Sequence, residues 1–252
     1  MHKFMNYFRV SVAFIMGPIL AIFFVSNLWA NNACFSFVSS MEEVRELPFK
    51  SFYGRSFSRE KKIALTFDDG PNQETLRILE ILKRYDIKAT FFFLGNQIEQ
   101  FPDITRRAKQ EGHAVGMHGF EHIKMCELND EDFIETIQKT QKVFLEILRD
   151  KPDYFRPPFG MITKDQIKFL FKKGIKTIVW SVQSDDYRPE TTMGEIVNNV
   201  REKAYPGAVV LLHNNEKTIS ALPQIIQILK KEGYSFYKIP DLFNEPNYIA
   251  IP

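Results

Sequence analysis

The sequence predicts an α/β fold in which parallel strands close into a barrel. Apolar strand-like runs alternate with amphipathic helical runs, so right-handed crossovers should join parallel strands. About seven such units follow residue 60, which favours a barrel over an open sheet. The polar residues of interest fall where strand-like runs end, and a parallel barrel places its working residues at those ends.

Each element follows from a local pattern. The strand-like runs are apolar on both faces, as expected for buried parallel strands. They lie at residues 63–67, 88–95, 112–118, 153–158, 175–182, 207–213 and 234–239. The helical runs carry an apolar stripe. They lie near residues 74–86, 97–110, 129–150, 163–174, 192–203 and 220–233. Asn129 and Asp130 open the longest helix, and Gly174 ends the next one.

The N-terminus carries an export signal. Residues 1–9 contain Lys3 and Arg9, and residues 10–30 contain no charge, which is typical of a secretory signal peptide. The uncharged stretch is also long enough for a membrane anchor, since about 20 apolar residues cross a bilayer. We expect residues 1–30 to be a signal peptide or anchor, residues 31–60 a linker and residues 61–252 the folded domain. The protein is then exported to the cell envelope, the periplasm or the medium. If residues 10–30 are retained as an anchor, they hold it at the membrane.

The charge balance argues against a polyanionic partner such as nucleic acid. The chain has 33 basic and 31 acidic residues, a net charge of +2, and is neutral beyond residue 30. An uncharged or mixed polymer fits better. Cys34 and Cys126 could pair outside the cytosol. Because Cys34 lies in the predicted linker, we expect Cys126 to be a buried apolar thiol instead.

Two aspartates and two histidines suggest a metal site. Asp68 and Asp69 end the first strand, where a plain turn needs one aspartate at most. His118 and His122 are four residues apart, a spacing that one helical turn places on one face. Two imidazoles and a carboxylate can hold a divalent metal and leave positions for water and a substrate oxygen. Taken alone, the histidine spacing also fits two structural histidines.

Five motifs together resemble a known family. "TFDDGPN", "ATFFFLG", "GHAVGMHGFEH", "RPPFG" and "VVLLH" occur in the order and rough spacing of the NodB-like polysaccharide deacetylases, the family 4 carbohydrate esterases. The resemblance covers about residues 60–240. It implies a distorted (β/α) barrel that removes N-acetyl groups from amino-sugar polymers by metal-dependent hydrolysis. Residues 61–252 would then be the catalytic domain.

The resemblance implies roles for the metal-proximal residues. Asp69, His118 and His122 match the three metal ligands. Asp68 matches the catalytic base that deprotonates water at the metal. Arg156 matches the arginine that orients this base. The metal is expected to be one Zn²⁺ ion, with Co²⁺ or Mn²⁺ as alternatives.

The other matches surround the substrate. His213 matches the general acid that protonates the leaving amine. The backbone N–H of Phe159 matches the donor to the oxyanion. Leu211 falls where the family lines a pocket for the acetyl methyl group. Tyr187 replaces a family tryptophan and is expected to contact substrate.

One motif departs from the family pattern. The family shows Trp-x-x-Asp-x-x-Asp-Trp after the fifth strand, whereas this chain reads "WSVQSDDY". Gln183 stands in place of the first aspartate, which in the family pairs with the acid histidine. Because an amide cannot raise a histidine pKa by charge, we expect a weakened or lower-pH acid step unless Asp185 substitutes. His113 is expected to be structural.

The sequence therefore predicts an exported deacetylase of an N-acetylated polysaccharide. Peptidoglycan is favoured, because an export signal on a single catalytic domain suits work on the cell's own wall. Chitin-type oligomers and a secreted exopolysaccharide are alternatives. Two other classes stay open: an esterase that removes O-acetyl groups, and a catalytically silent sugar-binding module, which Gln183 supports. The oligomeric state does not follow from the sequence.

Overall fold

Strands and helices alternate along the chain, and the spacing of apolar residues changes from strand-like to helix-like at their boundaries. The computed structural model describes residues 51–56 and 58–243. The strands are β1 (Phe52–Tyr53), β2 (Lys62–Gly70), β3 (Thr90–Phe93), β4 (Ala114–Met117), β5 (Tyr154–Phe155), β6 (Lys176–Ile178), β7 (Val182–Gln183), β8 (Ala208–His213) and β9 (Ser235–Phe236). The helices are α1 (Gln73–Arg84), α2 (Gly95–Gln100), α3 (Pro102–Gln110), α4 (Asp130–Leu148), α5 (Lys164–Lys172), α6 (Met193–Lys203), α7 (Glu216–Lys231) and α8 (Ile239–Phe243).

Polar caps begin several of the predicted helices. Asn72, Thr163 and Thr192 each form a capping box at the start of α1, α5 and α6. Asn129 caps α4 as predicted, and such a cap contributes about 1 kcal/mol. The helix predicted near residues 97–110 divides into α2 and α3 at Pro102, which lacks an N–H and starts the second helix.

The strands of the main path form one parallel sheet that curls into a distorted (β/α) half-barrel. Their spatial order is β1-β6-β5-β4-β3-β2-β8-β7, and β9 pairs in parallel with the start of β2. The predicted fold class is confirmed. All seven predicted strands occur; β1 adds an eighth, and the division of the predicted fifth strand makes nine among the described residues.

The predicted fifth strand divides at Trp180. β6 pairs with β5 and β1, whereas β7 pairs with β8 at the other end of the path. Between them, Val179 N–H donates to the Tyr53 carbonyl and Ser181 N–H donates to the Val209 carbonyl. One chain segment therefore joins the two ends of the sheet and sets its curl.

The eighth strand comes from the segment predicted to be a linker. β1 pairs with β6 through Phe52 opposite Thr177 and Tyr53 opposite Ile178. Both β1 side chains are buried. A two-residue strand has no measurable alternation in the sequence, so tertiary packing decides its structure.

Side chains of β2 alternate between two faces, and this alternation positions the site. Ile63, Leu65 and Phe67 join the large core beneath the helices. Ala64 points the opposite way and belongs to a smaller cluster that includes α8. By the same alternation, Asp68 lies on the face of the smaller cluster.

Several expectations concern export. Those for residues 1–50 lie outside the described residues. Within residues 51–56 and 58–243, no helix combines the length and the apolar character needed to cross a bilayer.

Cys126 is disulfide-bonded, so the expectation of a buried apolar thiol there is wrong.

His113 is buried behind the strands, in agreement with the structural role expected for it. Its Nδ1 accepts a hydrogen bond from Ala89 N–H at 3.1 Å, and its ring meets Phe91 edge-on. Burial, together with the charge of Lys88, lowers the pKa of His113 to about 4.

We expect stability to fall as the pH falls from 6.5 towards 4. Unfolded His113 takes up its proton near pH 6.5, whereas the folded ring resists protonation until about pH 4. The stabilising contribution is therefore present above pH 6.5 and is worth about 2 kcal/mol between pH 7 and pH 4.5. Urea unfolding at these pH values should show a smaller pH dependence for His113→Phe than for the wild type. Equal pH dependence in the two proteins would contradict this role.

Candidate active site

The register of the central strands brings the candidate residues to one edge of the sheet. Asp68 on β2 is the register partner of His213 on β8. β4 pairs with β5 at the last residue of each strand, so the residues that follow, His118 and Arg156, emerge side by side. The side chains come from four strand ends that the sequence separates by up to 145 positions.

Asp69, His118 and His122 present their ligand atoms to one point. Asp69 Oδ1 lies 3.3 Å from His118 Nε2 and 3.4 Å from His122 Nε2. One ligand atom from each residue lies within 4.8 Å of the others. Burial raises the pKa of Asp69, but the three neighbouring histidines outweigh it and lower that pKa to about 2.

This donor set fits a divalent cation. Asp69 Oδ1 is buried and accepts no hydrogen bond from any residue that the structure describes; such an oxygen is costly without a cation. His118 Nδ1 lies 2.8 Å from the Arg156 carbonyl oxygen. With its hydrogen on Nδ1, the ring directs the Nε2 lone pair towards Asp69. Burial and repulsion from His118 lower the pKa of His122, which favours the neutral imidazole that a metal requires.

His118 and His122 reach this point from a loop, so the predicted helical turn is wrong. Residues 118–124 form an irregular loop, with bends at residues 120–122, rather than a helix. Gly119 has a φ of 89°, which other residues rarely adopt. A Cβ atom there would lie 2.9 Å from Met125 Cε and 3.0 Å from the Glu121 carbonyl oxygen. The loop depends on this glycine, and it brings the two rings to a centroid distance of 5.2 Å.

Asp68 is held by a fully buried arginine. Arg156 Nη1 donates to Asp68 Oδ1 at 2.8 Å and to Thr66 Oγ1 at 2.7 Å. Its Nη2 donates to the Val179 carbonyl at 3.3 Å, and the guanidinium lies 4.1 Å from the centroid of the Phe92 ring. Removing either charge would leave the other buried, at a cost of about 3–5 kcal/mol. The sequence did not identify Thr66, because a threonine in an apolar strand is an ordinary β-former.

The turn that carries the two aspartates is braced by the end of β8. The backbone N–H and the Nδ2 of Asn214 donate to the Asp68 carbonyl at 3.1 and 2.6 Å. Asn72 Nδ2 donates in turn to the Asn214 carbonyl at 2.9 Å. Asp69 has a φ of 70°, an unfavourable angle that surrounding contacts must maintain. Asn214 is a supporting residue that sequence reasoning missed.

His213 is paired with Asp186. Its Nδ1 lies 2.7 Å from Asp186 Oδ1, and its backbone N–H donates to Asp186 Oδ2 at 2.7 Å. Burial lowers the pKa of His213, but the hydrogen bond and charge of Asp186 raise it to about 9. The hypothesis that Gln183 deprives this histidine of a carboxylate is therefore wrong. Asp186 also accepts hydrogen bonds from Ser184, Asn215 and Thr218.

The backbone after β7 decides which aspartate pairs with His213. Asp185 has a φ of 62° and accepts hydrogen bonds from Gln183 Nε2 at 3.0 Å and Asn199 Nδ2 at 3.4 Å. Asp186 faces β8 instead. Two adjacent aspartates look equivalent in a sequence. Whether Asp185 or Asp186 pairs with His213 could therefore not be decided without this backbone angle.

The remaining predicted residues flank this group. The Phe159 ring is 54% exposed, and its centroid lies 4.4 Å from that of His122. The Tyr187 ring is 50% exposed and meets the His213 ring edge-on at 5.7 Å. Leu211 is buried on β8, two residues before His213 and on the same face. All the predicted site residues therefore lie around one edge of the sheet.

Known proteins resemble this chain in sequence and in fold. Residues 56–178 match the family described as polysaccharide deacetylase. A peptidoglycan-N-acetylglucosamine deacetylase of Bacillus cereus is 35% identical over 200 residues, which cover 76% of this chain and 72% of that protein. The chain belongs to the polysaccharide deacetylase family, the NodB-like family 4 carbohydrate esterases.

Solved structures include both an enzyme and a pseudoenzyme of this family. A peptidoglycan N-acetylglucosamine deacetylase in complex with an N-oxidanyl-benzamide superposes with a TM-score of 0.75 at 32% identity, over 79% of this chain and 95% of that one. A family 4 pseudoenzyme from Bacillus anthracis gives a TM-score of 0.74 at 29% identity, over 80% of this chain and 71% of that one. An active enzyme and a pseudoenzyme therefore share this fold, so the residues at the site decide the chemistry.

We expect Asp186→Asn to lower the pKa of His213 from about 9 towards its ordinary value of 6.5, because burial then acts without the carboxylate charge. NMR titration of the imidazole after chelator treatment measures this pKa. Gln183→Ala is the control, and it should leave the pKa near that of the wild type. An unchanged pKa in Asp186→Asn, or an equal drop in Gln183→Ala, would refute the assignment of Asp186 as the partner.

Proposed function

We propose that this protein removes N-acetyl groups from peptidoglycan in the cell envelope. The observation that carries the proposal is that Asp68 and His213, register partners on β2 and β8, lie next to the ligand set of Asp69, His118 and His122. A carboxylate and a protonated imidazole beside one metal site supply the base and the acid that amide hydrolysis requires.

The choice of substrate rests on the relatives and on the surface of the site. The similar proteins with assigned substrates include peptidoglycan N-acetylglucosamine deacetylases. The exposed rings of Phe159 and Tyr187 offer apolar contacts to sugar rings. The export signal predicted in residues 1–30 would bring the domain to the wall.

Residues Asp69, His118 and His122 would hold the metal, and Zn²⁺ suits two imidazoles and a carboxylate, as do Co²⁺ and Mn²⁺. When bound, such a cation would polarise the acetyl carbonyl and lower the pKa of a coordinated water to about 7. Asp68 and His213 then move the protons.

Asp68 acts as the base. Arg156 occupies its Oδ1, so Oδ2 is the oxygen that takes a proton from the attacking water. Oδ2 lies 3.9 Å from His118 Nε2, at the edge of the ligand set. The buried arginine fixes the carboxylate in this orientation and prevents it from turning away.

His213 acts as the acid. Asp186 binds its Nδ1, which leaves Nε2 to protonate the departing amine. With a pKa near 9, the imidazole carries this proton at neutral pH. The backbone N–H of Phe159 donates to the oxyanion, and the buried side chain of Leu211 contacts the acetyl methyl group.

Acetate release from peptidoglycan and from N-acetylglucosamine oligomers tests the proposal. We expect a chelator to abolish release and Zn²⁺ to restore it. Asp68→Asn should lower kcat by about 10²–10⁴-fold while the metal content stays at the wild-type level. Asp69→Asn should lose the metal. Asp103→Asn, a matched change at an exposed residue of α3, should leave both quantities unchanged.

Two outcomes would point to the other classes. If the metal-loaded protein binds sugar but releases no acetate, the chain is a silent sugar-binding protein. If acetate comes only from O-acetylated substrates and His213→Ala retains that release, the chain is an esterase. Full activity in Asp68→Asn would refute its assignment as the base.

A further inference from the structure

An amide–phenol pair lies at the rim of the site next to His213. We propose that Gln183 is a positioning residue that holds Tyr187 as a contact for the sugar next to His213, and that this task requires a hydrogen-bond donor at position 183. The identity of the ligand as an N-acetylglucosamine polymer rests on the proposed function. The contact itself rests on the geometry of the residues after β7.

Gln183 uses both ends of its amide. Its Nε2 donates to Tyr187 Oη at 2.9 Å and to Asp185 Oδ1 at 3.0 Å. Its Oε1 accepts a hydrogen bond from Trp180 Nε1 at 3.3 Å. The Gln183 side chain therefore links Trp180, where the predicted fifth strand divides, to the Tyr187 ring beside His213.

The Tyr187 hydroxyl is left ready for a ligand. Its oxygen accepts hydrogen bonds from Gln183 Nε2 and from Arg188 Nε, the latter at 3.2 Å. Towards the residues that the structure describes, Tyr187 donates no hydrogen bond. With both lone pairs engaged, the hydroxyl hydrogen is available to a sugar oxygen. The half-exposed ring also offers an apolar face beside His213.

The chain beyond Tyr187 is fixed by a lysine. Lys217 Nζ donates to the carbonyl oxygens of Arg188, Pro189 and Thr191 at 2.5, 2.6 and 3.0 Å. Lys217 lies in the first turn of α7, four residues after His213. Because this helix follows directly from β8, the ring and the acid share one framework, and little ordering is needed when a sugar binds.

A carboxylate at position 183 could not do the same work. It would face Asp185 at about 3 Å, where like charges repel. It would also accept the Tyr187 hydroxyl hydrogen and withdraw it from the ligand. Since Asp186 already pairs with His213, position 183 is free for an amide.

Gln183→Glu and Tyr187→Phe test the proposal in the metal-loaded, full-length protein. The first replaces the donor with an isosteric acceptor, and the second removes only the hydroxyl. We expect each to weaken binding of N-acetylglucosamine tetramer about three- to tenfold in calorimetry. In acetate release, KM should rise more than kcat falls. The double variant should bind the tetramer no more weakly than whichever single variant has the lower affinity, because both changes break the same contact.

A second amide–phenol pair provides matched controls. Gln227 Nε2 donates to Tyr85 Oη at 2.7 Å, on the exposed sides of α7 and the end of α1. Gln227→Glu and Tyr85→Phe make the same chemical changes there, and both should bind the tetramer as the wild type does. A general effect of either substitution type would appear in these controls.

The outcomes separate the inference from the proposed function. If Gln183→Glu binds as tightly as the wild type, or the losses in the two single variants add, the positioning role is overturned. If the wild type binds no tetramer, the sugar contact is overturned as well. If the wild type binds but releases no acetate, and both variants bind more weakly, the proposed function fails and the inference stands.

Discussion

The buried ion pair between Asp68 and Arg156 is the constraint on which the site depends. Asp68 lies on β2 and Arg156 follows β5, three positions away in the sheet order. In a flat sheet these strands would be about 14 Å apart, too far for an arginine to bridge. The 2.8 Å contact between them therefore requires the curl of the sheet. A buried charged pair, which bulk water and salt screen little, holds this curl at the point where chemistry is proposed.

The same arginine connects two functions. Its guanidinium orients the carboxylate of Asp68, and its carbonyl oxygen fixes the ring of His118. One residue thus sets the orientation of both the proposed base and a proposed metal ligand. A change in the backbone after β5 would disturb both groups together, which explains how a site drawn from distant strands can stay aligned.

Much of the fold and the metal-proximal group could be predicted because their signals are local. Strand–helix alternation identified the parallel sheet, and Asp68, Asp69, His118 and His122 stand in short motifs at strand ends. Other features depend on pairing or backbone angles that no short pattern reveals. These include the short strand β1, the division of the fifth strand, and the choice of Asp186 over its neighbour.

The position of β1 changes where the stable unit begins. β1 covers the outer edge of β6. A protein that began at residue 61 would therefore expose that edge to pairing with other chains. Residues 51–56 thus belong to the folded unit, which begins earlier in the chain than the predicted boundary at residue 61. A version of the domain that keeps this edge of β6 covered would have to begin at or before residue 51.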